Sequence, residues 1–447
     1  MLPENFASLT QDEKIDARLA DWVSTEGKPF ASPEIAETYR VRAQRYADVM
    51  RLREPDRVPT SVVTGDLQQH FMGVTLADYF YDYPKSVAAA IGFYEKYPLV
   101  EYFPFSNFQP GPVFDKLGYT LYRWPGGQLA ADQGYQYVEG EYMTADEYDE
   151  LIRNPEGWLL RTYWPRVFPG VAGLAGFPSL LGALELPFVP FAMSAIGSPA
   201  VTSALETLLE ASRLTGEFNA HMGQLIGTAM FAKGMPVTLG GFSKAPFDFL
   251  GDTLRGTRSV MMDLFRRPAK VQAACEAITP LAVKMAVDAA VGSGVPFAFL
   301  PLHKGADGFM SDADFAKFYW PSLEATLRGI VAEGVIPMMF VEGGYNSRLE
   351  RMAAANLPKG TTAWLFDQSN MANVKKFVGS WGAIGGNVPG SLFQTGTPDQ
   401  MRAYVEQLMA TCKPGGGFWM SPGVVLDHST EENFVAWLEA GNAFGKY

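Results

Sequence analysis

The chain has 447 residues, 47% of them hydrophobic, and a formal net charge of −12. That length fits one barrel-sized domain with an N-terminal extension as well as two equal domains, and the acidic balance, with no basic stripe, argues against a nucleic-acid partner. Two cysteines, Cys275 and Cys412, exclude a disulfide framework and an all-cysteine zinc site.

The first residues, MLPENFASLTQDEKIDARLADW, carry neither a basic n-region nor an apolar h-region. No signal peptide is expected, and the predicted compartment is the cytoplasm. Residues 1–55 are read as a helical extension. Thr10-Gln11-Asp12-Glu13 is a capping box, and Ser32-Pro33 is a second helix start, with the helix running to about Leu52. Glu54-Pro55-Asp56-Arg57-Val58-Pro59 stops it, and Thr60–Val63 reads as a short strand.

Residues 66–165 are rich in aromatics, prolines and glycines and show little period. Tyr119–Trp124 and Gln136–Met143 look like the strands of a hairpin insertion, and Thr144–Glu147 opens a helix by a capping box. Residues 167–200 are almost wholly apolar, but Pro169, Pro178, Pro187, Pro190 and Glu185 interrupt them, so no membrane span is expected. This segment is read as buried loop, short helix and strand, with an apolar lid or subunit contact as the alternative. Residues 198–233 are helical.

Beyond residue 235 apolar runs alternate with amphipathic helices. The runs are Val237–Gly240, Pro296–Leu302, Val335–Val341, Thr362–Phe366, Ala383–Gly386 and Gly417–Met420. The helices lie near 257–266, 268–292, 311–333, 347–354, 371–378, 398–411 and 430–443. This pattern predicts parallel strands with helical crossovers, an α/β (β/α)8 TIM barrel over 56–447 with an aromatic-rich insertion at about 100–190.

Each run ends on its C-terminal side in polar or glycine-rich residues, the face where such barrels place active sites. The endings are GGFSKAPF, LHKGADGF, VEGGYNSR, FDQSN, GGNVPG and SPGVVLDHS. Glu342, His303, Asp367 and His428 are therefore the candidate catalytic residues. Lys244, Lys304, Tyr345, Asn346, Asn387 and Phe242 are the candidate substrate contacts; Ser243, Asp307 and Asp427 lie at the same rim. Any one of these polar residues has a bland reading as a cap or turn former, so the collective signal carries the argument.

Several of these elements have a familiar order and spacing. Pro55-Asp56-Arg57-Val58-Pro59, Gly385-Gly386-Asn387-Val388-Pro389, Gly396-Thr397-Pro398, Gly415-Gly416-Gly417-Phe418 and Glu431-Glu432-Asn433 resemble the uroporphyrinogen decarboxylase superfamily. The resemblance covers 40–65 and about 235–447. It implies the barrel fold and two activities, cofactor-free decarboxylation of a tetrapyrrole and zinc-dependent methyl transfer involving corrinoids. The chain departs from both. Where the decarboxylases carry an arginine-containing MRQAGRY element, it reads Val62-Val63-Thr64-Gly65-Asp66-Leu67-Gln68-Gln69-His70. Where the zinc enzymes carry His-x-Cys and a later Cys, it reads Val341-Glu342-Gly343-Gly344 and Val424. Soft zinc ligands are thus missing. A harder site of Glu342, His303, Asp367 and His428 is the alternative.

The expected function is corrinoid-linked methyl transfer from a methylated small molecule such as an aryl methyl ether. Glu342 would act as proton donor, helped by His303 or His428, and the aromatics Tyr79, Phe80, Tyr81, Phe103, Phe105 and Phe108 would wall the pocket. The resemblance implies that the corrinoid is carried by a separate protein and that no cofactor is tightly bound. A homodimer is also expected. The alternatives are a cofactor-free decarboxylase, with Lys244 or Lys304 anchoring the carboxylate, and a non-catalytic tetrapyrrole or corrinoid binder.

Overall fold

Capping chemistry sets where the first helices begin. In the computed structural model, which describes residues 2–447, Thr10 and Glu13 close a capping box at the head of the helix Gln11–Val23. Ser32 caps the helix Pro33–Met50, with Pro33 in its first turn. Both helices sit under the N-terminal ends of the strands. Trp22 meets Phe297 edge-on at 5.1 Å and donates through Nε1 to the Val237 carbonyl, while Tyr46 packs on Phe297 at 5.5 Å. The Pro55–Pro59 element ties this extension to the barrel. Asp56 accepts from the buried Arg45 at 2.7 and 2.8 Å, and Arg57 pairs with Glu101, which also meets Arg45 at 3.0 Å.

Six parallel strands follow one another in sequence and in space: β5 (Gly241–Phe242), β6 (Phe297–Leu302), β7 (Ile336–Val341), β8 (Ala363–Phe366), β9 (Ala383–Val388) and β10 (Phe418–Pro422). A parallel pair, β1 (Val63–Gly65) and β2 (Phe105–Ser106), completes the ring. The Met420 amide donates to the Pro59 carbonyl and the Ser61 amide to the Met420 carbonyl, joining β10 to the chain leading into β1. The Phe103 amide donates to the Pro236 carbonyl, linking β2 to β5. The central strands are buried along their whole length, which explains their continuous apolar runs. Only about 30 Å³ of space remains inside, between Tyr46, Phe299, Met338, Leu365 and Trp419, so the interior is a packed core and any site lies at its rim.

The helices expected beyond residue 255 lie within two residues of those positions, although the one read over 311–333 is divided at Phe315–Tyr319 and the short helix Gly390–Thr395 was not expected. Three expectations need correction. The first strand is Val63–Gly65 rather than Thr60–Val63; Thr60 makes only an isolated bridge to Met420. The run 237–240 enters the barrel, but ladder pairing begins at Gly241, opposite Ala298. The third is the segment 167–200, which contains no strand and is not buried throughout. It forms the short helices Pro169–Gly176, Leu180–Ala183 and Val189–Ile196, and presents Leu180, Leu181, Leu184, Leu186 and Phe191 to solvent, Leu186 at 88% exposure. The alternating glycines and prolines make short turns there, and nothing in the chain covers their apolar faces.

The insertion hairpin is present and shorter than expected. Its strands β3 (Tyr122–Arg123) and β4 (Gln136–Tyr137) pair antiparallel, Tyr122 opposite Tyr137. Residues 137–143 then run along the segment after β5: the Tyr142 and Met143 amides both donate to the Leu254 carbonyl.

Candidate active site

Two short turns after β5, Pro246–Phe249 and Leu250–Leu254, carry Asp248 and Asp252 over the ends of β5 and β6. Asp252 is the hub of the site. Its Oδ2 accepts from Lys244 Nζ at 2.5 Å and faces His303 Nδ1 at 2.5 Å, and its Oδ1 pairs with Lys304 Nζ at 2.7 Å. Three cations around one carboxylate hold Asp252 ionised, far below the usual carboxylate range, against the opposing effect of burial. Asp248 is fully buried. It accepts from the His303 and Lys304 amides at 3.1 and 2.9 Å and from the Tyr319 hydroxyl at 2.7 Å, fixing the backbone that presents His303. Burial, with Asp252 nearby, pushes the Asp248 carboxyl up.

On its other side His303 faces Glu342, which ends β7; Nε2 and Oε2 are 3.7 Å apart. The imidazole thus lies between two carboxylates. Burial alone would lower its pKa, but the Asp252 hydrogen bond and the charges of Asp252, Asp248 and Glu342 outweigh this, and the net shift is upward. Burial also raises Glu342. The His303 charge opposes that, and Asp248, Asp252 and Asp367 add to it. Both groups shift in the direction that retains protons. Glu342 keeps 44% of its side-chain surface open and His303 31%. The pair is therefore reachable from outside although enclosed by protein on most sides.

Glycine makes this arrangement fit. Gly343 adopts φ +79°, and its amide turns onto Asp367 Oδ2 at 3.0 Å. Asp367 is itself raised by burial and sits beside Glu342 as a neighbouring carboxylate. The expected residues Glu342, His303 and Asp367 are therefore brought together. Phe242 is beside them at the end of β5, 43% exposed, in a row with Phe299 and Phe340 at centroid spacings of 6.3 and 5.8 Å.

Other expected contacts are placed differently. Lys244 and Lys304 are tied to Asp252 and are not free anchors. Tyr345 is 1% exposed and packs edge-on against Phe315. Asn346 Oδ1 accepts the Asn370 amide at 2.8 Å. The Asn387 amide group donates to the Asp367 and Ser369 carbonyls at 2.8 and 2.9 Å, and its Oδ1 accepts from the Tyr404 hydroxyl at 2.9 Å. These two asparagines are loop braces, as turn formers at strand ends often are. Tyr79, Phe80 and Phe103 are core.

His428 belongs to a second cluster, after β10. It stacks on His70 with ring centroids 4.4 Å apart. Nearby, Asp427 Oδ1 accepts the Asp66 amide at 3.1 Å, and Asn107 donates to Asp66 Oδ1 at 2.6 Å. Gly65 is required here, because a Cβ on it would lie 2.0 Å from Asp427 Oδ1. Among the described residues no group of three or more His, Cys, Asp or Glu is placed to hold a metal ion, and the four candidate ligands do not gather at one point. Both thiols are buried and pushed up to about 12. His428 stands apart from Glu342, His303 and Asp367, so these four side chains do not form one set of metal donors.

The sequence reading missed Asp248 and Asp252. They lie just beyond the strand-end stretch GGFSKAPF, in turns that lack a 3.6-residue apolar period. The signal available was spacing: Lys244, Asp248 and Asp252 recur every four residues, which places charges on one face of a helical turn.

Comparison with known proteins adds the following. Residues 177–443, more than half of the chain, match the family model described as uroporphyrinogen decarboxylase (URO-D). No curated protein matches the chain. Among solved structures it is similar to a methyltransferase from Methanosarcina mazei, with a TM-score of 0.57 and 14% sequence identity over 90% of this chain and 98% of that chain. At that identity the likeness is one of fold.

Proposed function

The chain belongs to the uroporphyrinogen decarboxylase family, and from that premise we propose that it is a methyltransferase of the demethylating type, acting on a methylated small molecule such as an aryl methyl ether. The observation that carries this reading is the imidazole held between Asp252 and Glu342 at an open barrel mouth. Breaking an ether O–CH3 bond leaves the electron pair on oxygen, and an alkoxide or phenoxide is a poor leaving group unless protonated as it forms. Glu342, whose pKa burial and the neighbouring carboxylates push upward against the His303 charge, donates the proton to that oxygen. His303 faces Glu342 and returns a proton to it, and Asp252 on Nδ1 stabilises the imidazolium and fixes its orientation.

The methyl acceptor in this reading is a corrinoid on a separate protein, and when presented it supplies the nucleophile that takes the methyl group. The openness of His303 and Glu342 is compatible with presentation from outside. Decarboxylation is less well supported. It needs a cation free to hold the substrate carboxylate, and the ammonium groups of Lys244 and Lys304 are both engaged with Asp252.

The test is incubation of the purified chain with a methoxyaromatic and cob(I)alamin, following the cobalamin spectrum, beside a carbon dioxide assay with aromatic acids. Methyl transfer with release of the free phenol supports the reading. Carbon dioxide release without methyl transfer contradicts it.

A further inference from the structure

The insertion hairpin does more than cover the barrel. Gln109, Phe114, Tyr119, Tyr122 and Tyr135 enclose a cavity of about 310 Å³ between the hairpin and the segment after β2. Its walls form a chain of rings: Phe114 to Tyr119 at 5.7 Å, Tyr119 to Tyr122 at 5.7 Å, and Tyr122 edge-on to Tyr135 at 5.9 Å. Tyr135 is 45% exposed, although it is a large aromatic near the barrel mouth. The cavity also has a built connection to the acid residues. Tyr137, which pairs with Tyr122 across the hairpin, donates its hydroxyl to the Asp252 carbonyl. Tyr122 lies within electrostatic reach of Asp252, and Tyr135 within reach of Glu342, Asp66 and Asp427.

We propose that this cavity is the binding site for the ring of the substrate, and that the substrate is a small monocyclic aromatic compound. The inference deepens the demethylation reading and rests on it for the methyl group, but the ring site stands on its own geometry. Volume sets the size class. An apolar cavity of roughly 150 Å³ accepts benzene, so twice that space holds one substituted ring and not a tetrapyrrole. Wall chemistry sets the type. Four aromatic side chains offer edge and face contacts to a flat ring that a saturated ring of equal size cannot use as well. Gln109 supplies an amide that can pair with a ring hydroxyl or ether oxygen. In this proposal the ring's substituent reaches the acid residues past Tyr122 and Tyr135, the two wall residues that lie within electrostatic reach of Asp252 and Glu342.

The test is equilibrium binding, which is independent of turnover. 2-Methoxyphenol and cyclohexyl methyl ether are titrated into the full chain by calorimetry, for the wild type, the double variant Tyr122→Ala/Tyr135→Ala, the milder Tyr135→Leu, and Glu342→Gln. The expected result is saturable binding of 2-methoxyphenol, at least about tenfold weaker for the saturated ether. The double variant should weaken binding by about tenfold or more. Tyr135→Leu, at a half-exposed position that tolerates the change, should do so by a smaller factor, and Glu342→Gln should bind as the wild type does. Absence of saturable binding to the wild type overturns the proposal. So does unchanged affinity in Tyr135→Leu and in a folded double variant. If the binding pattern holds while no methyl transfer is seen with any methoxyaromatic, the ring site is supported and the demethylation reading is the part that fails.

Discussion

His303 has a carboxylate at each ring nitrogen, and this fixes what it does at different pH values. Because its folded pKa lies above the ordinary value of about 6.5, its protonation stabilises the folded chain fully below about pH 6.5 and that contribution is lost as pH rises through the raised value. Glu342 has the same sign, its contribution being complete below about pH 4.3 and lost as pH rises through its own raised value. Urea unfolding from pH 6 to 9 should therefore show falling stability, and His303→Gln should flatten that slope. An equal slope in the variant would remove His303 from the linkage. Asp252→Asn takes away the hydrogen bond and charge that hold the imidazolium, so the His303 resonance in an NMR titration should move to lower pKa. Glu342 and His303 were legible in the sequence because each ends a long apolar strand. Asn346 and Asn387 looked the same by that criterion, yet their side-chain atoms brace neighbouring loops. Which polar rim residues face outward depends on loop hydrogen bonding, and strand-end position alone does not encode it.

The elements that were easiest to read are those with a strong local period. The helices after residue 255 and the strands β6 to β9 are long or continuously apolar, so pattern alone nearly locates them. The strands β2 and β5 have two residues each and are defined by their partners. The turns bearing Asp248 and Asp252 depend on β5 in turn, so the centre of the site was hidden with it. The Pro55–Pro59 element shows why a family motif need not be catalytic. Asp56 and Arg57 join Glu101 around the buried Arg45, and together they seal the extension onto the barrel. Glu101→Ala should leave Arg45 with one carboxylate and Arg57 with none there, and destabilise the chain by about 3–5 kcal/mol in urea unfolding. A change below about 0.5 kcal/mol would mean that the network is replaced by water at little cost.

At the scale of the whole molecule the barrel explains where the chemistry is, and the shelf over residues 180–193 is the feature it does not explain. Leu180, Leu181, Leu184, Leu186, Phe188, Val189, Phe191 and Met193 range from 37% to 88% exposed. Together they offer roughly 800 Å² or more of apolar surface, about what one partner contributes to a standard interface. No helix among the described residues is long and apolar enough to cross a membrane. We expect the shelf to pair with a second copy of the chain. Light scattering should report a dimer at micromolar concentration, and Leu184→Glu/Phe191→Glu should return it to a monomer that keeps its circular dichroism spectrum. A wild-type monomer at all concentrations would contradict this. The run of apolar residues was plain in the sequence. Its exposure was not, because burial depends on what packs above a segment, and here nothing in the chain does.

In the proposed reaction Glu342 donates the proton that lets a methyl group leave an aromatic ether. The most direct measurement is single-turnover methyl transfer from 2-methoxyphenol to cob(I)alamin by the wild type and Glu342→Gln, with binding of 2-methoxyphenol measured in parallel. The rate should be lowered by about 10²- to 10⁴-fold in the variant at unchanged affinity, and the wild-type rate should fall as pH rises through the raised Glu342 pKa. Equal rates in the two proteins, with equal pH profiles, would contradict it.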